Sequence, residues 1–133
     1  VAEKLKKFSR IFLTIGSRNL DKFAHLMGMG KQITARVLPD SHVIKRCEGL
    51  GFTPDKLIAM QGPFSTPMNY IMFKECGADI VVTKDSGTVG GVREKIEAAQ
   101  MLQIPVLLIE RPRIDYPTVT RDISDILHWI NLK

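Results

Sequence analysis

Residues 83–91 read TKDSGTVGG and lie between a short apolar run and an amphipathic segment. The run before them, residues 78–82, is rich in β-branched side chains and is typical of a buried strand. The residues after them recur at helical spacing along one face, at Val92, Ile96, Ala99 and Gln103. The sequence therefore predicts a strand over 78–82, a glycine-rich loop, and a helix over 92–103.

The glycine-rich loop has the composition of an anion site. Its glycines allow backbone N–H groups to approach a ligand closely, and the start of the following helix adds positive potential. Lys84 adds a cation and Ser86 a hydroxyl. The spacing matches neither the Walker A pattern nor G-x-G-x-x-G. A tight turn that uses its glycines only for backbone geometry is the alternative interpretation.

The same alternation of strand and helix continues along the whole chain. Strands are predicted at residues 11–15, 31–38, 57–60, 78–82 and 106–109, and helices at 20–27, 41–50, 68–76, 92–103 and 123–130. This pattern predicts an α/β fold, a five-stranded parallel sheet flanked by helices in a Rossmann-like or flavodoxin-like doubly wound three-layer domain. Residues 1–133 are long enough for one such domain.

The second strand suggests a strand order. Ile33, Ala35 and Val37 alternate with Gln32, Thr34 and Arg36, which is typical of a strand with one face in water. An edge position for this strand gives the order 2-1-3-4-5. The topological switch point, where doubly wound sheets bind ligands, is then predicted between the first and third strands.

Composition excludes several classes of protein. Apolar residues make up 44% and charged residues 25% of the chain, as in ordinary globular domains. No apolar run reaches membrane-spanning length, so no membrane partner is expected. The net charge of +5 is not gathered into a basic helix with interleaved aromatic residues, which argues against nucleic acid.

Cysteine and histidine usage points to a reducing compartment and away from metal. Cys47 and Cys76 do not form a disulfide framework, so a cytoplasmic location is expected. The three histidines lack ligand spacing, and no metal site is predicted. No Ser/His/Asp or Cys/His arrangement supports hydrolase chemistry.

Polar residues collect where the predicted strands end. Because parallel strands share one carboxyl edge, the loops that follow them meet there. The polar and charged residues of these loops are Ser17, Arg18, Asn19, Arg36, Asp40, Gln61, Ser65, Asn69, Lys84, Asp85, Ser86, Arg111 and Arg113.

Several spaced motifs in these loops resemble the precorrin-6A reductase family of cobalamin biosynthesis. The resemblance runs through Gly62-Pro63-Phe64-Ser65 with Asn69, Thr83-Lys84-Asp85-Ser86-Gly87 with Gly90-Gly91, Lys95 and Ala98-Ala99, and Arg111-Pro112. Thr14-Ile15-Gly16-Ser17 and Arg36-Val37-Leu38-Pro39 fit the same pattern. The motifs extend from the first strand to the last helix and look more like the cobalt-precorrin-6A reductases than the metal-free type.

The resemblance implies an NAD(P)H-dependent reduction of a ring double bond in precorrin-6A or cobalt-precorrin-6A. It also implies two Rossmann-like domains with the cofactor (NADPH or NADH) and the tetrapyrrole in the cleft between them. This sequence resembles only the C-terminal domain. The N-terminal domain is expected to be a missing partner, and the fragment alone is expected to be inactive.

Site residues follow from the same resemblance. The cofactor- and substrate-binding set is predicted as Gly16, Ser17, Arg18, Asn19, Arg36, Gln61, Gly62, Pro63, Phe64, Ser65, Asn69, Thr83, Lys84, Ser86, Gly87, Gly90, Gly91 and Arg111. The cations of this set would bind anionic groups, since the substrate bears many carboxylates. Lys84 or Asp85 is the candidate proton donor or its organiser, and a bound water is an equal candidate.

A binding module without catalysis is the alternative function. A flavodoxin-like domain would hold a nucleotide or flavin mononucleotide at the same edge of the sheet. Against flavin, the first loop lacks a run of Ser, Thr and Gly around a phosphate, and few aromatic side chains could cover an isoalloxazine. A receiver domain of signalling is disfavoured because the first strand lacks an acidic pair.

Overall fold

A five-stranded parallel sheet forms the centre of the chain. The computed structural model describes residues 2–84 and 91–109, and all statements on structure concern these residues. The strands are β1 (Arg10–Thr14), β2 (Gln32–Val37), β3 (Leu57–Ala59), β4 (Ile80–Lys84) and β5 (Val106–Ile109). Each predicted strand is confirmed to within about two residues at its ends, as expected for such assignments.

Four α-helices connect the strands. They are α1 (Asp21–Ala24), α2 (Ser41–Gly49), α3 (Thr66–Glu75) and α4 (Val92–Met101). Short 3₁₀ helices occupy Ala2–Leu5, His25–Met29 and Pro54–Lys56. The helix predicted at 123–130 lies outside the described residues. Among the described helices, none is long and apolar enough to cross a membrane.

The observed strand order is β3-β2-β1-β4-β5, so the predicted order 2-1-3-4-5 is wrong. β2 lies inside the sheet, paired with β1 through Ile11 and Ile33 and with β3 through Arg36 and Ile58. Its polar face is covered by protein from Thr34 onward, because Thr34 is 8% and Arg36 only 6% exposed, while Gln32 at the start of the strand is exposed. At Thr34 and Arg36 the alternation therefore reflects buried polar side chains and not a face in water.

Each face of the sheet packs against two helices. One core contains Leu13, Val37 and Val82 from the sheet, with Phe23 of α1 and Cys47 of α2. The other core lies under α3 and α4 and contains Phe12, whose ring meets that of Phe73 edge to face at 4.9 Å and 66°. Burial of these apolar side chains is the main source of stability.

This order moves the switch point to β1 and β4. These neighbouring strands pair through Thr14 and Thr83 at their carboxyl ends. The chain leaves β1 towards the face of α1 and leaves β4 towards the face of α4, since Leu20 and Phe23 lie in one core and Ala98 and Ala99 in the other. The connections that diverge here leave space above the sheet, where doubly wound folds bind ligands.

Candidate functional site

A cleft of about 370 Å³ opens at the carboxyl ends of β1 and β2. It reaches the loop after β3 on one side and the start of α4 on the other. The residues that line it are Thr14, Gly16, Arg36, Val37, Leu38, Gly62, Pro63, Phe64, Gly91 and Lys95. Among these described residues two are cations and none is an acid.

Arg36 is the most deeply buried charge in the wall of this cleft. It lies near the end of β2 with 6% of its surface exposed. Its Nη1 atom donates to Asn69 Oδ1 at 2.8 Å and to Met72 Sδ at 3.3 Å. Burial lowers the pKa of Arg36 to about 10, so the guanidinium keeps its charge at neutral pH.

Aromatic rings flank this guanidinium. Its central carbon lies 3.9 Å from the ring centroid of Phe64 and 5.8 Å from that of Phe12. Both distances are within the range of a cation–π interaction, which offsets part of the cost of removing the charge from water. The rings supply no acceptor, so they hold Arg36 without neutralising it.

Asn69 fixes the orientation of Arg36. Its side chain is fully buried in α3, and its Nδ2 atom donates to the carbonyls of Ser65 at 3.0 Å and Phe64 at 3.3 Å. With both amide hydrogens used in this way, Oδ1 is presented to Arg36. Ser65 also caps α3, since its Oγ accepts from the N–H of Met68 at 3.2 Å.

Lys95 is the second cation of the cleft. It is half-buried on α4, and its Nζ donates to Thr83 Oγ1 at 3.2 Å. Burial and then the charge of Arg36 lower the pKa of Lys95 to about 8. Thr83 is fully buried at the end of β4, so the contact ties the helix to the sheet.

The two cations have no carboxylate partner within residues 2–84 and 91–109. On α4, Arg93 Nε pairs with Glu97 Oε2 at 3.4 Å, on an exposed part of the helix. Within the described residues, the remaining donors of Arg36 and Lys95 have no acceptor. Two cations in a partly desolvated cleft are suited to binding an oxyanion.

Two glycines shape the rim of the cleft. Gly16 after β1 and Gly91 before α4 have φ angles of +78° and +71°, which L side chains rarely adopt. Neither position would place an added Cβ within 3.4 Å of another atom, so the constraint at both is backbone conformation. The predicted glycine-rich loop thus has its described end, Gly91, at the cleft.

The structure divides the predicted site residues into four groups. Those that line the cleft are Gly16, Arg36, Gly62, Pro63, Phe64 and Gly91. Those that brace the cations or cap α3 are Ser65, Asn69 and Thr83. Those away from the lining are Ser17, Arg18, Asn19, Gln61 and Lys84. Those outside the described residues are Asp85, Ser86, Gly87, Gly90 and Arg111.

Lys84 and Lys95 lie on different sides of the sheet. Successive side chains of a strand point to opposite faces. Thr83 faces α4 and contacts Lys95, so the next residue, Lys84, faces the side of α1 and α2. Lys84 is half-buried there and pairs in register with Ile109.

Lys95 is absent from the predicted site set, although it belongs to the motifs that carry the family resemblance. Its signal in the sequence is spacing. Ala98 and Ala99, three and four residues further on, are fully buried, and residues at these spacings share a helix face. A lysine aligned with two buried alanines indicates a cation directed towards the sheet.

The described part of the chain contains no cluster of three or more His, Cys, Asp or Glu residues that could hold a metal ion. The described lining of the cleft supplies the cationic donors of Arg36 and Lys95 and the backbone at Gly16 and Gly91. Such a set binds phosphates and carboxylates.

Comparison with known proteins gives consistent matches. The family model described as Precorrin-6x reductase CbiJ/CobK matches residues 1–131. A cobalt-precorrin-6A reductase of Methanocaldococcus jannaschii is 38% identical over 134 residues, which cover 99% of this chain and 52% of that protein. One from Methanothermobacter thermautotrophicus is 43% identical over 102 residues, covering 75% of this chain and 34% of that protein.

A solved structure titled CobK precorrin-6A reductase has a similar fold, with a TM-score of 0.61 at 22% identity. The similarity covers 89% of this chain and 48% of that one. The chain thus spans about half of the solved chain and of the Methanocaldococcus jannaschii relative, and about a third of the Methanothermobacter thermautotrophicus relative.

Proposed function

The chain belongs to the Precorrin-6x reductase CbiJ/CobK family, and from this membership we propose that it is the C-terminal domain of a reductase acting on precorrin-6A or cobalt-precorrin-6A. The reaction would be the NAD(P)H-dependent reduction of a ring double bond in cobalamin biosynthesis. The chain would line one wall of the cleft that holds the substrate and the cofactor.

One structural observation supports this proposal independently of the family. Among the described residues that line the cleft at the carboxyl ends of β1 and β2, Arg36 and Lys95 are cations and none is an acid. A tetrapyrrole with many carboxylates and a dinucleotide with phosphates are both polyanions, and each would offset the charge of these cations. A neutral ligand would leave the charges of Arg36 and Lys95 partly removed from water and without an anion to compensate them.

The donor set of the cleft fits NAD(P)H as well as the tetrapyrrole. Arg36 and Lys95 would hold an anionic group, with Gly16 and Gly91 allowing close approach of the backbone. When bound, the nicotinamide would supply the hydride. The residues of this chain would bind and orient the reactants and exclude water from that part of the cleft.

The remaining predicted roles are part of the proposal. Exposed Arg18 and half-buried Lys84 would reach anionic groups from the side of α1. Asn69 would position Arg36 and would not bind the ligand directly, because its Oδ1 already accepts a hydrogen bond from Arg36. Lys84 or Asp85 would deliver or organise the proton. The rest of the enzyme would form the opposite wall, so the 133-residue chain alone would not turn over.

The direct test is an assay of the complete gene product that carries this sequence. Precorrin-6A and cobalt-precorrin-6A are each mixed with NADPH or NADH, and cofactor oxidation is followed by absorbance. We expect reduction of one of the two substrates. If neither cofactor is oxidised in the presence of either substrate, the proposed function is contradicted. A yellow protein with tightly bound flavin would favour the flavodoxin-like alternative.

Lys84 has its own test in the same enzyme. Lys84→Ala should lower kcat/KM by at least about tenfold, roughly 1.4 kcal/mol of transition-state stabilisation. Lys45→Ala, which removes an exposed lysine of α2, is the matched control and should leave kcat/KM unchanged. Unaltered kinetics in Lys84→Ala would remove that residue from the site and leave the reductase assignment intact.

A further inference from the structure

We propose that Arg36 and Lys95 bind one oxyanion between them, a carboxylate or a phosphate oxygen group of the ligand. This inference deepens the proposed function and rests on it for the identity of the ligand. The anion-binding geometry itself depends only on the two side chains and their surroundings.

Both cations have donors that find no acceptor among the described residues. A guanidinium has five N–H donors, and an ammonium has three. Arg36 donates through Nη1 to Asn69 and Met72, and Lys95 donates once, to Thr83. Within the described ranges, 2–84 and 91–109, no group accepts from the remaining Arg36 nitrogens. These donors belong to a side chain that is more than nine-tenths buried and lines the cleft.

Arg36 and Lys95 line the same cleft, and the charge of Arg36 contributes to the lowered pKa of Lys95. Like charges in a desolvated wall destabilise the protein unless an anion lies between them. One oxyanion in contact with both cations removes the repulsion and gains two charge-assisted interactions. Two separate anions would instead bring a new pair of like charges together.

Neighbouring groups hold both cations in place. Asn69 and the Phe64 ring fix Arg36, while Thr83 fixes the ammonium of Lys95. The supporting groups are neutral, so they position the cations without neutralising them. A preformed pair of this kind loses little conformational entropy when the ligand binds.

The test is isothermal titration calorimetry of the complete gene product that carries this sequence, with three probes: inorganic pyrophosphate, NADPH and the octacarboxylate uroporphyrin I. The variants are Arg36→Met, Lys95→Met and the double variant. Lys45→Met is the matched control, because it removes an exposed lysine from the other face of the sheet. Circular dichroism and thermal unfolding establish that each variant is folded, and Lys95→Arg tests rescue by a retained charge.

Each single variant should weaken binding of at least one probe by about tenfold or more, as expected for loss of a charged partner. The double variant should lose less than the product of the two single losses, because both cations act on the same oxyanion. Lys95→Arg should restore most of the affinity. A double loss equal to that product would overturn the proposal, since it indicates two independent anions.

The three probes distinguish the source of the oxyanion and separate this inference from the proposed function. A loss for NADPH alone assigns a phosphate, and a loss for uroporphyrin I alone assigns a carboxylate. Variant-sensitive binding of pyrophosphate with no binding of NADPH or uroporphyrin I supports the oxyanion site and counts against the reductase role. The oxyanion site is overturned if NADPH or uroporphyrin I binds with an affinity that neither substitution changes, or if no probe binds.

Discussion

Arg36 is a charged residue that neutral groups hold in the interior. Its partners are an amide oxygen, a thioether sulfur and two aromatic rings. None of them carries a negative charge, so the guanidinium remains able to attract an anion. The amide of Asn69 is the strongest of these partners, because it supplies the shortest hydrogen bond.

Replacement of Asn69 by Ala should therefore lower both stability and anion binding. The substitution leaves a buried Arg36 donor and the carbonyls of Phe64 and Ser65 without their partner. The expected loss in free energy of unfolding is about 2 kcal/mol, measured by urea denaturation. Gln100→Ala, at an exposed position of α4, is the control and should change stability by less than about 0.5 kcal/mol. An Asn69→Ala protein as stable as the wild type would contradict the role given to this amide.

Lys95 gives the cleft a pH dependence with a definite sign. Its pKa is lowered from 10.5 to about 8, so the ammonium form predominates below that pH and is lost as the pH rises through it. The groups near the Lys95 ammonium are the guanidinium of Arg36 on β2 and the neutral hydroxyl of Thr83 on β4. The carboxylate of Glu97 on α4 instead contacts Arg93 and Thr66.

We therefore expect the Kd for uroporphyrin I to rise by roughly tenfold between about pH 7 and about pH 9. The measurement is the same calorimetric titration at several pH values. Lys95→Arg keeps its charge over this range, so its Kd should be nearly constant. Comparison with this variant also shows how much of the pH dependence comes from titration of the ligand. An equal pH dependence in both proteins would show that Lys95 is not the titrating group.

The predicted site set contains Arg36 but not Lys95. Arg36 lies near the end of the alternating second strand, next to a loop at the carboxyl edge of the sheet. Lys95 lies within a helix, and a helical lysine is usually solvated. Its direction becomes evident only from the burial of Ala98 and Ala99 on the same face.

The loop between β3 and α3 is the element that completes the wall of the cleft. It carries Gly62, Pro63 and Phe64 to the side of Arg36, and Ser65 ends it by capping α3. A Cβ at Gly62 would lie 3.0 Å from two atoms of the Phe64 ring, which is closer than side chains normally allow. The absence of a side chain at Gly62 thus permits the ring to cover Arg36.

Gly62→Ala should displace the Phe64 ring from the guanidinium. We expect weaker binding of the oxyanion probes and a loss of about 1 kcal/mol in free energy of unfolding, as for mild overpacking. Gly49→Ala is the matched control, because an added Cβ there meets nothing within 4 Å and the residue is helical. It should leave binding unchanged and stability equal or slightly higher. Identical binding in the Gly62→Ala and Gly49→Ala proteins would exclude a role for this loop.

The positions of the elements could be predicted from sequence, while their order in the sheet could not. Apolar runs and helical periodicity gave all five strands and the helices from α2 to α4. The predicted strand order was wrong because of β2, where Thr34 and Arg36 alternate with apolar residues as on an exposed strand. Whether such residues face water or a polar cluster on α3 depends on Asn69, which is distant in sequence.

At the scale of the whole molecule, the two faces of the sheet have different roles. The face under α1 and α2 is apolar throughout its main core. The face under α3 and α4 has Phe12 and Val81 in its apolar core and Thr14, Arg36 and Thr83 at the carboxyl ends of its strands. The cleft opens at these carboxyl ends, and family membership supports its proposed role in reduction of a polyanionic tetrapyrrole.

The central claim is that the cleft holds a ligand oxyanion between Arg36 and Lys95. It is tested most directly by carbon-13 NMR of the Lys95 Cε signal, assigned by its disappearance in Lys95→Arg and followed through a pH titration. The account predicts a midpoint near 8 in the free chain and a higher midpoint with uroporphyrin I or NADPH bound, because the anion stabilises the ammonium. A midpoint at the ordinary value of 10.5 that neither ligand changes would contradict it.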